Sequence, residues 1–223
     1  TTDIYTLSLH DALPISFDHP AASFLALSKD ARLLATSGWH SRVVRLFETQ
    51  GGQLLGEWPV PPYSRVFLSP DDRMLVISQG FEISFWDAET AELIRRVPRQ
   101  GSGYGDSVAF SSDGTLIALP TAPGIVEIQL TDTGRTVARL EDPFGDRSGW
   151  MTFTADNREL IVFAGYVPAI HVWHLDELRR QLSEFSGDWP GFPPLLDQKS
   201  TNRTGKHSVP TIEVLGLELL ENK

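Results

Sequence analysis

Cysteine is absent from all 223 residues. That excludes a disulfide framework, thiolate metal sites, thiol redox chemistry and a cysteine nucleophile. Positive charge is scarce: 19 Lys and Arg face 29 Asp and Glu, for a net charge of −10. An excess of acid argues against nonspecific binding to nucleic acid or to anionic membrane. No apolar run approaches the length of about 18 residues that a membrane-spanning helix needs. A Gly-x-Ser-x-Gly elbow is missing, as are the kinase signatures His-Arg-Asp, Asp-Phe-Gly and Val-Ala-Ile-Lys. Gly101-Ser102-Gly103-Tyr104-Gly105 is glycine-rich but lacks the Lys-Ser/Thr pair and following helix of a phosphate loop.

Part of the length is foreign. Tyr5–Ile15 reads Tyr-Thr-Leu-Ser-Leu-His-Asp-Ala-Leu-Pro-Ile, which looks like a sequencing-library adapter translated in one frame. Residues 1–16 are therefore set aside from fold reasoning, and His10 and Asp11 are not read as a catalytic pair. That segment holds two acids, Asp3 and Asp11, and no Lys or Arg, so residues 17–223 keep a net charge of −8. The expectation is a piece of a longer protein whose N-terminal portion is missing.

What the remainder does contain is a repeat. Leu27-Ser28-Lys29-Asp30, Leu68-Ser69-Pro70-Asp71, Phe110-Ser111-Ser112-Asp113 and Phe153-Thr154-Ala155-Asp156 align, with the aspartates 41, 42 and 43 residues apart. A spacing of roughly 40–45 residues is that of a four-stranded propeller blade. Alternating apolar residues precede each Asp: Leu25 and Leu27, Val66 and Leu68, Val108 and Phe110, Met151 and Phe153. Period two marks a strand with one face in a core. The Asp turns are hairpin chemistry, as in Asp113-Gly114. Three further strands are predicted per repeat. The second strands are Leu33–Ser37, Met74–Ser78, Leu116–Leu119 and Leu160–Phe163. The third are Val43–Glu48, Ile83–Asp87, Val126–Leu130 and Ile170–His174. The fourth are Leu54–Trp58, Leu93–Val97 and Val137–Leu140, with none in the last repeat.

This pattern, from roughly Ala21 to Gln181, resembles the WD40-repeat β-propeller. Trp86-Asp87 is the intact signature dipeptide, Phe47-Glu48 a conservative variant, Gln129-Leu130 a departure, and Trp173-His174 keeps the Trp alone. The Gly-His dipeptide that opens many such repeats is absent, so the family's buried Asp–His–Ser–Trp network is not expected. The end of the repeat region resembles the C-terminal end of WD-repeat regions in large bacterial proteins. It comprises Leu140-Glu141-Asp142-Pro143, Ile170-His171-Val172-Trp173, Leu178-Arg179-Arg180-Gln181-Leu182 and Asp188-Trp189. Many of those proteins carry a Ser/Thr protein kinase domain.

After Trp173-His174 the periodicity becomes helical. Leu175, Leu178, Leu182 and Phe185 form one stripe. Asp176 and Glu177 suit the first turn, and Asp176 and Arg180 make an i,i+4 pair. Prolines then dictate an extended segment in which Trp189 and Phe192 are anchors. Asp197–Pro210 reads as a flexible linker and Thr211–Leu220 as a short apolar stretch. The expected fold is all-β: a partial propeller of about four blades, a short amphipathic helix and a flexible tail. Its parts are 1–16 (adapter), 17–185 (propeller and helix) and 186–223 (tail). In the family, a strand from the N-terminal end of the array completes the last blade. The edge of Ile170–His174 is therefore expected to lack a partner strand from this chain.

No chemical constellation emerges. Ser69-Pro70-Asp71 and Ser111-Ser112-Asp113 belong to turns, and Asp71-Asp72 is not a pair poised across a substrate. His171 and His174, three apart in one strand, point to opposite faces. No catalytic, cofactor-binding or metal-binding residue is assigned, and no cofactor is expected. In a propeller the loops between strands two and three, and between blades, emerge on one face. They carry Trp39, Phe81 and Tyr166, and Tyr63 and Tyr104 respectively. Aromatic side chains are enriched at binding hot spots, so this face is the candidate protein-binding surface. The expected function is a noncatalytic scaffold for protein or peptide partners, with no nucleic acid and no membrane contact, located in the cytoplasm. The missing N-terminal blades of the same chain would be a further partner. The alternative is a substrate-recruiting or sensory domain at the C-terminus of a bacterial Ser/Thr kinase.

Overall fold

The structure is a computed structural model that describes residues 15–100, 106–142, 144–145, 147–165 and 169–186, with side chains as far as residue 181. The chain divides into two units, Thr1–Pro193 and Pro194–Lys223. The second unit, the adapter-like residues 1–14 and the proposed anchors Trp189 and Phe192 lie outside the described residues.

The described part is all-β with one helix, in four antiparallel sheets. The first sheet holds β1 (Phe24–Leu27), β2 (Leu33–Ser37), β3 (Val43–Glu48) and β4 (Leu54–Pro59). The second holds β5 (Arg65–Leu68), β6 (Met74–Ser78), β7 (Glu82–Asp87) and β8 (Leu93–Pro98). The third holds β9 (Ala109–Phe110), β10 (Leu116–Ala122), β11 (Ile125–Leu130) and β12 (Thr136–Glu141). The fourth holds β13 (Ser148–Phe153), β14 (Glu159–Ala164) and β15 (Ile170–His174), followed by α1 (Leu175–Ser186). Each sheet is a meander whose strand order follows the chain. This is a partial, propeller-like all-β fold. Among the described residues, no helix is long and apolar enough to cross a membrane.

The four Asp turns are one device repeated. Ser28, Ser69, Ser111 and Thr154 donate from Oγ to Oδ1 of the Asp two residues on, at 2.8, 2.5, 2.6 and 2.7 Å. The same oxygens accept the backbone N–H five residues on, from Leu33, Met74, Leu116 and Glu159, at 2.8–3.1 Å. The residue after each Asp lies in the left-handed region: Ala31 (φ 59°), Asp72 (62°), Gly114 (74°) and Asn157 (59°). Two of these reach the preceding sheet. Asp72 accepts N–H bonds from Lys29 and Asp30 at 2.7 and 3.2 Å, and Asn157 accepts one from Ser112 at 2.8 Å. The repeated turn thus also sets the spacing between neighbouring sheets.

Packing explains why the second strands are apolar without alternation. Leu75 and Ile77 of β6 join Ala35, Val44, Leu46 and Trp58 of the first sheet in one core. Val76, between them, joins Ile117 and Leu119 of the third sheet, and Val108 just before β9, in another. Likewise Leu116 and Ala118 of β10 pack toward Met151, Phe153 and Leu160 of the fourth sheet. A strand buried on both faces reads as a continuous apolar run. Trp86 of the signature dipeptide packs on the core between the first two sheets, its ring 5.9 Å from that of Trp58. Asp87 accepts the N–H groups of Glu89 and Thr90 at 2.9 and 2.8 Å, capping the next turn. Glu48 does the same for Gln50 and Gly51, which is why Glu substitutes for Asp there.

The two ends of the array lack such cover. Leu25 is 73% exposed, whereas its repeat equivalents Val66, Val108 and Met151 are 3–7% exposed. Ile170 is 68% exposed, whereas Val44, Ile83 and Val126 are 0–4% exposed. The fourth sheet ends on β15 among the described residues. There the N–H of Leu175 bonds the Arg158 carbonyl at 2.8 Å, as Thr49, Ala88 and Thr131 bond theirs at the same point of the other sheets. The chain then turns into α1 in place of a hairpin. Leu175 is fully buried and Leu178 packs on the core between the third and fourth sheets. One expected contact is replaced. Asp176 engages Arg158 and Arg179 rather than Arg180, and Arg180 turns to Glu177 at i,i+3. The reason is that Arg158, at the Asp156 turn, stands beside the first helical turn.

Left-handed geometry costs an alanine about 1–2 kcal/mol. Ala31→Gly is therefore expected to raise the free energy of unfolding by about 1 kcal/mol, read from urea denaturation. A loss of stability would contradict the strained turn.

Candidate functional site

The position six before the repeat Asp, at or near the start of each inner strand, holds Phe24, Arg65, Ser107 and Trp150. The topology brings these positions to one end of the array, where the loops carrying Trp39 and Tyr63 also emerge. Three sheets contribute. Phe24 and Trp39 have ring centroids 5.1 Å apart, and Trp39 meets Tyr63 edge-on at 5.7 Å. His40 lies 6.0 Å from Tyr63. The Arg65 guanidinium carbon sits 4.9 Å from the Phe24 ring, 5.9 Å from Trp39 and 4.3 Å from Trp150. Cation–π contacts of this kind stabilise a cation without satisfying its N–H donors.

Tyr63 is held in the left-handed region at φ 66°, with its N–H bonded to the Trp39 carbonyl at 3.0 Å. A bulky residue there is an outlier of the sort that clusters at binding sites. Next to the cluster, buried Asp106 accepts bonds from both Arg99 and Arg147. Burial works against the charge of Arg65, and the Asp106 carboxylate partly offsets it. A groove of about 380 Å³ runs along β1 and β5 and is closed at one end by Arg65 and Trp150.

Of the aromatic residues picked from the sequence, Trp39 and Tyr63 meet. Phe81 stands apart, 71% exposed and in no ring contact among the described residues. Tyr104 and Tyr166 lie outside the described residues. Phe24, Arg65 and Trp150 escaped the reading because they differ in type. Their common signal is position, six before the repeat Asp.

A second polar site escaped it as well. His19 is buried, with Nδ1 2.5 Å from Thr36 Oγ and Nε2 2.8 Å from Ser41 Oγ. Ser41 donates its own proton to the Val43 carbonyl at 2.9 Å. Thr36 likewise lies within 3.5 Å of the Arg45 carbonyl, so the imidazole joins two hydroxyls that are themselves tied to the backbone of β3. This is a reduced histidine network in the first sheet. It was hidden because Asp18, not Gly, precedes His19. His171 and His174 do lie apart, beside Asp142 at 3.1 Å and Glu159 at 3.0 Å respectively. No group of three or more His, Asp or Glu suited to a metal occurs among the described residues.

Burial, with Arg45 nearby, lowers the His19 pKa below its ordinary 6.5. As pH falls through that value the unfolded chain takes up the proton before the folded one. Stability is therefore retained above it and lost below it. The urea midpoint is expected to fall between pH 7.5 and 5, and His19→Gln to reduce that fall. Equal slopes for both proteins would contradict the buried neutral imidazole.

No family model matches the sequence, and no curated protein matches it. Among solved structures, the chain is similar to hydrazine synthase of Kuenenia stuttgartiensis, with a TM-score of 0.51 and 21% identity. The match covers 63% of this chain and 43% of the other. At that identity the likeness concerns the fold alone, and the chain spans less than half of that neighbour.

Proposed function

We propose that this segment is a noncatalytic interaction module that binds a protein or peptide at the end of the array bearing Trp39 and Tyr63. The observation that carries the reading is the clustering there of Phe24, Trp39 and Trp150 around one arginine, with Tyr63 against Trp39. Trp39 and Trp150 remain 41% and 56% exposed. Exposed aromatic clusters with an arginine are the composition of interface hot spots. A rigid stack of sheets that displays loops at one end suits such a role.

The repeat spacing and Trp86-Asp87 support membership of the WD40 propellers. The run from Leu140 to Trp189 supports a bacterial protein of that class. The uncovered faces at Leu25 and Ile170 support further blades of the same chain as a packing partner. A cytoplasmic location accompanies this reading. Attachment to a Ser/Thr kinase is the second reading, resting on the same C-terminal resemblance. An upstream reading frame with Asp-Phe-Gly and His-Arg-Asp signatures would favour it, and one with repeats alone would not.

The test is a selection of phage-displayed heptapeptides against the whole chain. Binding of the enriched peptides is expected to fall at least tenfold in the Trp39→Ala, Tyr63→Ala double variant, with its fold retained by circular dichroism. Unchanged binding would remove this end of the array as the interface.

A further inference from the structure

We propose that the groove between β1 and β5 is an acidic-peptide site, in which Arg65 takes a carboxylate and the strands take the apolar residues beside it. The inference rests on the interaction-module reading and names the chemistry of its partner.

Arg65 is the starting point. Its guanidinium is stacked against three aromatic rings, yet its buried Nη1 finds no hydrogen-bond partner among the described residues. A buried donor left unmet is costly. The nearest carboxylate does not relieve it, because Asp106 is engaged by Arg99 and Arg147. Among the described residues, the charges of Asp106 and Arg147 act on Arg65 in opposite directions. Arg95 also has orphaned donors, but it lies over Phe85 and bonds Gln129. Arg65 combines an unmet donor with an adjoining groove lined by two edge strands. A planar guanidinium with free N–H groups matches a carboxylate, which accepts two of them side by side.

The remainder of the groove argues for a peptide rather than a small acid. β1 and β5 are each the edge strand of their sheet. Edge strands present unpaired backbone N–H and C=O groups, which an extended chain can satisfy. Phe24, Phe67 and Leu68 line the same groove and supply apolar surface beside the cation. A volume of about 380 Å³ accommodates two or three side chains, not a whole folded partner. An acidic residue flanked by large apolar ones is the sequence that fits.

The selected heptapeptides provide the probe. They are expected to carry Asp or Glu next to Leu, Ile or Phe. Exchange of that acid for its amide in the synthetic peptide should weaken binding tenfold or more, without altering the protein. Arg65→Gln should do the same, and Arg65→Lys should keep part of the affinity because it keeps the charge but loses the fork. Peptides that bind through Trp39 and Tyr63 without an acid, or that ignore Arg65→Gln, would overturn the carboxylate site and leave the interaction module standing. Failure to select any peptide dependent on that end of the array would overturn both.

Discussion

Each inner sheet buries both of its faces at once, and this double burial governs the rest of the molecule. Ile77 and Val76 are neighbours in β6, yet they belong to different cores and are both fully buried. Ile117 and Ala118 repeat the arrangement in β10. A sheet must bury its apolar face against another layer. Stacked on two neighbours, it contributes apolar area twice. Stability in such arrays lies in the contacts between successive units as much as within them.

The same constraint explains what the two ends look like. The Val44 and Ile83 positions are covered in the inner sheets, whereas Ile170 at the equivalent place is open. The departure into α1 after His174 follows a backbone bond that the other sheets also make. The helix therefore replaces a hairpin without disturbing the strands before it, and buries Leu175 and Leu178 on the core beneath.

Much of this was legible in the residues because the repeat states each element several times over. The Ser/Thr-x-Asp turns, the apolar second strands and the end of the third strand at Trp86-Asp87 occur where the spacing puts them. The arginine–aromatic cluster was not legible. Phe24, Arg65 and Trp150 come from three sheets, and their meeting depends on how the sheets are angled about one end, which local pattern does not encode. The His19 bonds were hidden for a related reason. Thr36 and Ser41 are unremarkable in a strand and a loop, and only the fold aims them at one imidazole. Helix pairing failed at Asp176 because Arg158, distant in sequence, competes for it.

Native-state amide hydrogen exchange tests the double-burial account most directly, because protection reports how much structure must open to expose each strand. The account predicts the slowest exchange in β6 and β10, between two cores each, and faster exchange in β1 and β15, which lack a cover on one side. Protection of Ile170–His174 equal to that of Met74–Ser78 would contradict it.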